Sequence, residues 1–291
     1  MARDYRSFIQ KYFSILDRDT QLPVPFVFNS VQEKYYKMLE KEHVDFDGIR
    51  EIVLKARQEG MSSMILALFS VDFLMIPYSV SICISHRKDS TDLLFKKVKF
   101  YLDSYCDKKG IAKKTLLKSD SKNLIENAGN GASFYIGTAG AKVGGRGGSA
   151  RNILFSETAF YQDTDIITAE EMVTGTAQQV PQGKGMIFIE STANGEGNYY
   201  QKEWERAEAG ISSYKPRFFG WQEFYSEEWV EQKKKEFSTE AKWKQEYPKS
   251  SDEAFVTSGT PYFDTLVLQK MLDAKAEPIF TGRLAPDGSW I

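Results

Sequence analysis

Short apolar runs alternating with helical stretches over residues 50–210 constrain this chain more than any other feature. Ile52-Val53-Leu54, Ser79-Val80-Ser81-Ile82-Cys83-Ile84-Ser85, Asn152-Ile153-Leu154-Phe155 and Gly185-Met186-Ile187-Phe188-Ile189-Glu190 are nearly continuous in apolar and β-branched residues. Strands of that kind are apolar on both faces, so they belong inside a parallel sheet that is covered on each side. The intervening segments 62–76, 89–105, 168–179 and 197–209 read as helices and supply the cover. The fold class is therefore α/β, a mostly parallel sheet with helices on both faces. Three regions are expected: residues 1–50, helical with a break at Gln21-Leu22-Pro23-Val24-Pro25; residues 51–210, the core; and residues 211–291, a small C-terminal lid or linker subdomain. Further elements are expected as two short strands within 121–137, helices over 226–246 and 265–275, and a linker-like tail from 282.

Composition narrows the function. Of 291 residues, 42% are apolar and 14% aromatic, enough for a large core. Two cysteines make no disulfide framework and favour a reducing compartment, and the polar start Met1-Ala2-Arg3-Asp4-Tyr5-Arg6 is no secretory signal. The apolar stretch 64–78 is interrupted by Asp72 and too short for a membrane span. Two histidines, His43 and His86, lack metal-site spacing, and no hydrolase triad stands out. A net charge of −2 means that any nucleic-acid contact is local or shared among copies.

In open parallel sheets the chemistry sits beyond the carboxyl ends of the strands. Three polar segments fall there. The first is Lys55-Ala56-Arg57-Gln58-Glu59-Gly60-Met61-Ser62-Ser63, a strand exit, a loop with one glycine and a helix start. That layout aims backbone N–H groups and a helix N-terminus at an anion. Against the phosphate-loop pattern G-x-x-x-x-G-K-[ST], Lys55 replaces the first glycine, Met61 replaces the lysine, and Ser62 falls on the Mg²⁺-binding hydroxyl. The missing cation is supplied by Lys55 reaching back or by Arg57, and the sequence leaves both open.

The second segment is Ser156-Glu157. An acid ending a buried strand needs a partner or a task, and Glu157 is placed to deprotonate a water attacking a γ-phosphate. Ser156 occupies the usual position of a metal-binding aspartate. The third segment, Ser191-Thr192-Ala193-Asn194-Gly195, offers two hydroxyls and an amide to sense the phosphate. Arg146, in a glycine-dense loop eleven residues before Glu157, is a candidate arginine finger, with Arg151 as its rival. Gln32, capped by Asn29 or Ser30, is placed to read adenine, with Phe26 or Phe28 near the base.

Together these segments resemble the ATPase half of the large terminase subunit, the DNA-packaging motor of tailed bacteriophages, over almost the whole chain. The 55–63 loop resembles its deviant Walker A loop, and Ile153-Leu154-Phe155-Ser156-Glu157 its Walker B strand. Ser191-Thr192-Ala193-Asn194-Gly195 resembles its coupling motif, and the segment from Pro25-Phe26 to Gln32 its adenine-side motif. Glu246-Tyr247-Pro248, Asp252-Glu253-Ala254-Phe255 and Pro261-Tyr262-Phe263 resemble the segment leading to the family's nuclease.

The resemblance implies a P-loop NTPase fold of the ASCE/RecA-like type. It also implies ATP with Mg²⁺ on Ser62 and Ser156, Glu157, Arg146 and Lys55 as catalytic residues, and a homo-oligomeric ring, usually a pentamer. The implied partners are double-stranded DNA, the portal protein and the small terminase subunit, in the host cell cytoplasm. The nuclease domain is expected to be absent. A helicase-like ATPase and a non-catalytic scaffold with a degenerate loop are the alternatives.

Overall fold

The structure, a computed structural model, describes residues 4–140 and 148–255, together with Val267, Met271 and Ala274. The chain divides into two compact units, residues 1–258 and 259–291, and the first holds the sheet and its helices. Its elements are α1 (Tyr5–Tyr12), β1 (Ser14–Leu16), β2 (Pro23–Pro25), α2 (Ser30–Glu42), β3 (Ile49–Lys55), α3 (Met61–Met75), β4 (Val80–Ser85) and α4 (Lys88–Lys109). Then come α5 (Lys113–Leu116), β5 (Leu117–Asp120), β6 (Leu124–Asn127), β7 (Ser133–Thr138), β8 (Asn152–Ser156), α6 (Ala169–Ala177), β9 (Met186–Ser191) and α7 (Tyr199–Glu208). The last are β10 (Lys215–Phe219), α8 (Glu227–Lys234), α9 (Glu240–Glu246) and α10 (Ser251–Ala254).

Among the described residues, eight strands form one sheet in the order β10-β3-β9-β8-β4-β7-β6-β5. The six strands from β10 to β7 are parallel, and β6 and β5 add an antiparallel edge. Alternate residues of each strand face opposite sides. Val53, Cys83, Leu154 and Phe188 enter one core, with α3 and α4, while Leu54, Ile84, Phe155 and Ile189 enter the other, with α6 and α7. Both faces are thus covered, as the continuous apolar runs require. Helix α3 is buried all round from Met64 to Phe73, and apolar there apart from Ser70 and Asp72, because it packs inside the first core.

The structure corrects the expectations in three places. The N-terminal helix stops at Tyr12, and β1 and β2 form a hairpin instead. The cause is local: the Asp17 carboxylate accepts from the N–H groups of Asp19 and Thr20 and turns the chain, while buried Phe13 stacks on Tyr101. The helix expected over 226–246 is two helices, because Thr239 caps a fresh start by accepting from the Lys242 N–H. Finally, Lys215-Pro216-Arg217-Phe218-Phe219 is a strand, β10, that carries the sheet past residue 210. Its proline is tolerated because the strand is an edge, and Arg217 donates to buried Glu51 at 2.7 Å. The helix expected over 265–275 and the tail lie almost wholly outside the described residues.

The amino-end edge of the sheet is tied by a buried carboxylate. Asp72 of α3 accepts from the Tyr5 hydroxyl at 2.6 Å, Arg151 Nε at 2.9 Å and Asn152 Nδ2 at 3.0 Å. Asp72→Ala would take one acceptor from the half-buried Arg151 guanidinium, which keeps Asp47, and one from the buried Asn152 amide, which keeps Ser81, and would leave the Tyr5–Arg151–Asn152 network without its centre. It should lower stability by about 3–5 kcal/mol in urea denaturation; a loss below about 1 kcal/mol would show that the network carries little.

Candidate functional site

Parallel register brings the predicted segments to one edge. Leu54 of β3 lies beside Ser191 of β9, and Ser156 of β8 lies beside Glu190 of β9. β9 therefore stands between the loop strand and the strand ending in Ser156-Glu157. Lys55, 4% exposed, sends its Nζ into the space this creates, 3.2 Å from Glu157 Oε1 and 3.3 Å from Glu190 Oε2. Burial alone would drive the ammonium to lose its proton, but the two carboxylates outweigh it and raise the pKa. Burial likewise pushes Glu157 upward, and the Lys55 charge overcomes this and holds its pKa below the ordinary value. Glu157 adopts φ +56°, a left-handed conformation that costs a non-glycine residue about 1 kcal/mol or more. That turn aims its side chain back over the sheet edge.

The loop is held from two sides. Asn29 and Gln32 form a capping box at the start of α2. Their remaining amide groups reach the loop: Asn29 Nδ2 donates to the Glu59 carbonyl at 3.0 Å and Gln32 Nε2 to the Gly60 carbonyl at 2.7 Å. Gln32 accepts through its other end from the Asn29 N–H, so its amide is already engaged at both ends. An adenine contact would need these bonds to break, and Phe26 and Phe28 are buried in the core rather than turned toward a base. Gly60 takes φ +82°, and a Cβ there would meet Gln32 Nε2 at 2.6 Å. On the other side Arg57 pairs with Glu246 at 3.0 Å and is more than half exposed, its N–H donating to the Glu246 carbonyl. Of the two cations left open by the sequence, Lys55 is the one inside the site. Ala56 is buried, and Gln58, exposed at φ +64°, forms the loop tip.

The helix start carries the hydroxyls. Ser62 Oγ donates to Glu190 Oε1 at 2.7 Å, and Ser156 Oγ donates to the same oxygen at 2.6 Å. Glu190 is fully buried, Ser156 nearly so and Ser62 half-buried. Two hydroxyls and a carboxylate converging on one point are hard oxygen donors of the kind Mg²⁺ takes. The sequence reading missed Glu190, although the signal was there: an acid ending a buried apolar strand, the same argument that singled out Glu157. It also missed Lys97 of α4, whose Nζ donates to Ser63 Oγ at 2.8 Å, at the first turn of α3. The ammonium lies in a crowded but solvent-reachable cleft, where burial, opposed by Glu190 and reinforced by Lys55, lowers its pKa.

The 191–195 segment locks onto the turn after Glu157. Ser191 Oγ accepts from the Ala159 N–H and Asn194 Nδ2 donates to the Ala159 carbonyl, both at 3.1 Å. The Thr192 N–H lies 3.5 Å from Glu157 Oε2, and Ala193 is buried beneath. Arg151 is not at this edge. It sits at the opposite end of β8, bound to Asp72 and Asp47, which removes it as an in-site cation. Arg146 and Lys142 lie outside the described residues.

No protein-family model matches this sequence, and no curated protein matches it. Solved structures do. The large terminase of bacteriophage HK97 superposes with a TM-score of 0.59 at 10% identity, over 94% of this chain and 52% of that one. The large terminase of a thermophilic bacteriophage gives 0.54 at 13% identity, over 74% of this chain and 51% of that one. The ATPase domain of the Thermus phage P74-26 large terminase gives 0.52 at 16% identity, over 71% of this chain and 88% of that one. The fold is that of a large-terminase ATPase domain.

Within this terminase ATPase fold, Glu59 is the loop residue whose environment fits least with a charge. It is fully buried, and among the described residues neither carboxyl oxygen has a hydrogen-bond partner. Burial raises its pKa to about 9, with Lys55 opposing and Glu223 adding to the rise. The folded state therefore holds this proton more tightly than the unfolded one. The associated stability is complete below the unfolded value of 4.5 and is lost as pH rises toward about 9. Glu59→Gln should remove a decline on the order of 3 kcal/mol between pH 5 and 8. Parallel stability–pH curves for variant and wild type would refute this assignment.

Proposed function

We propose that this chain is the ATPase motor of a phage large terminase, hydrolysing ATP to drive double-stranded DNA into a procapsid. The observation that carries the reading is the Lys55–Glu157–Glu190 cluster at the mouth of a loop-to-helix turn, in a fold shared with terminase ATPase domains. The chain spans about half the length of the large terminases of HK97 and of the thermophilic bacteriophage, so the motor is one part of what such proteins do.

In this reading the N–H groups of Gly60, Met61, Ser62 and Ser63 cradle the β- and γ-phosphates at the N-terminus of α3. Lys55 lies within a side-chain swing of the phosphates, and Lys97 adds charge from α4. Ser62 and Ser156 would hold Mg²⁺, which neutralises phosphate charge when bound. Glu157 is the general base: when Lys55 turns to the phosphates, the carboxylate is released to accept a proton from the attacking water. The Thr192 N–H keeps the other carboxylate oxygen in place, and Asn194 passes a shift of the 157–160 turn to α7. Arg146 from a neighbouring subunit would complete the site, which calls for a homo-oligomeric ring. Double-stranded DNA, the portal protein and the small terminase subunit are the partners, in the host cytoplasm.

Glu157→Gln keeps the shape and the bond to Lys55 but removes the base. It should cut single-turnover ATP hydrolysis by about 10²–10⁴-fold, with ATP affinity, read by a fluorescent analogue, within a few-fold of wild type. Hydrolysis at the wild-type rate would end the base assignment, and a wild-type chain that binds no ATP would end the motor reading. Lys55→Ala is a poorer test, because leaving the buried Glu190 and the half-buried Glu157 without their cation costs about 3–5 kcal/mol of stability.

A further inference from the structure

A phosphate-loop site commonly holds its metal with the loop hydroxyl and an acid at the end of a neighbouring strand. Here the residue at that strand end is Ser156, which carries no charge. Besides Glu157, the carboxylate that pairs with Lys55 belongs to Glu190, one strand closer to the loop. Its position follows from register: β9 lies between β3 and β8, and Glu190 is paired with Val53 on one side and Ser156 on the other. Oε1 receives both the Ser62 and the Ser156 hydroxyl, at 2.7 and 2.6 Å. Oε2 faces Lys55 at 3.3 Å.

A fully buried carboxylate needs more compensation than hydroxyls supply. Formally, Lys55 (+1), Glu157 (−1) and Glu190 (−1) sum to −1, and once Lys55 turns to a triphosphate, both acids lose their cation. Glu157 has a use for that freedom, since a base must be unpaired to act. Glu190 is enclosed, cannot reach solvent, and would be left as an uncompensated buried charge unless a second cation arrives with the nucleotide.

We propose that Glu190 is the carboxylate ligand of the divalent cation, supplying from the adjacent strand the charge that Ser156 lacks. This rests on the nucleotide-binding reading given above. Ser62 and Ser156 then turn their hydroxyl lone pairs to the same ion, and the hydrogen bonds to Oε1 hold the three oxygens together until it binds. The oxygen set suits Mg²⁺ or Mn²⁺ rather than a softer metal.

The test reads metal binding directly. Mn²⁺ is titrated into the full chain with a non-hydrolysable ATP analogue, and bound ion is followed by its electron paramagnetic resonance. Analogue binding in EDTA and thermal melting are measured alongside. Glu190→Gln keeps an acceptor for both hydroxyls but loses the charge. It should weaken Mn²⁺ by about tenfold or more, since even outer-shell changes cost about 10–100-fold, while metal-free analogue binding is kept or tightened. Adding Ser156→Asp to Glu190→Gln should return most of the Mn²⁺ affinity, because the charge is restored one strand away. Unchanged Mn²⁺ affinity in Glu190→Gln overturns the proposal. So does a folded double variant that does not recover, which would make Glu190 a positioning residue for the serines. A wild-type chain that binds no analogue at all brings down the motor reading and this inference with it, a result distinct from the other two.

Discussion

A single buried ammonium organises this protein. Lys55 is taken out of water between two acids from two different strands, Glu157 and Glu190. Removing it would leave two like charges a few ångströms apart in a low-dielectric interior, and removing either acid would leave Lys55 with one partner in place of two. The arrangement fixes the edge of the sheet, because each charge is carried by a strand end whose register places it there. In the proposed reading it also accounts for the absence of a lysine at position 61, since the cation would come from the strand below rather than from the helix ahead. Met61 is free to be buried, 1% exposed, and it packs in the core with Met64 and Ile65.

The parallel sheet was legible because continuous apolar strands leave a strong composition signal, and β3, β4, β8 and β9 all fell near their expected places. The misses share a cause: the deciding interaction was non-local or made by polar residues. β10 reads as charged and proline-bearing, and only the Arg217–Glu51 contact across the sheet reveals its place. The β1–β2 hairpin depends on one carboxylate folding back on two N–H groups, which outweighs a helical pattern only a few residues long. The Gln32 amide is spent on Asn29 and Gly60, and no spacing rule shows that the loop itself is its partner. Glu190 was within reach of the argument applied to Glu157. Its signal is masked by the polar turn Ser191-Thr192-Ala193-Asn194-Gly195 that follows it directly.

The loop is clamped rather than free, and the clamp spans the unit. On one side stand α2 and its Asn29 and Gln32 amides. On the other, the Ala56 N–H donates to the Phe219 carbonyl, the Arg57 N–H to the Glu246 carbonyl, and the Tyr225 hydroxyl to the Arg57 carbonyl at 2.8 Å. Ala56 itself is packed into an aromatic group that includes Trp243 and Tyr247, which are stacked at 4.6 Å, with Tyr225 stacked on Trp229 at 3.9 Å. Glu223 closes the circuit by accepting from Lys34 and Ser30 of α2. Densely packed aromatic groups deform little, so a displacement of residues 56–57 is transmitted to α8 and α9 rather than absorbed.

That geometry separates two outputs of one event. In the proposed motor, a triphosphate that drew Lys55 away from Glu157 would act at the base of the loop, and its consequence would run through the Glu157 turn, Ala159 and Asn194 into α7. By shifting the clamped residues 56–60, the same ligand would act on the top of the loop, and its consequence would run through Arg57, Tyr225 and Glu246 into the C-terminal helices. The two routes diverge at adjacent residues, Lys55 and Ala56, on opposite sides of a buried strand end. In the proposed motor, binding and hydrolysis would act on different ends of this junction: contact with the loop needs only the phosphates, whereas restoring the Lys55–Glu157 pair needs the γ-phosphate to leave. In that reading, distinct movements for binding and for cleavage trace to one lysine at the last residue of a strand.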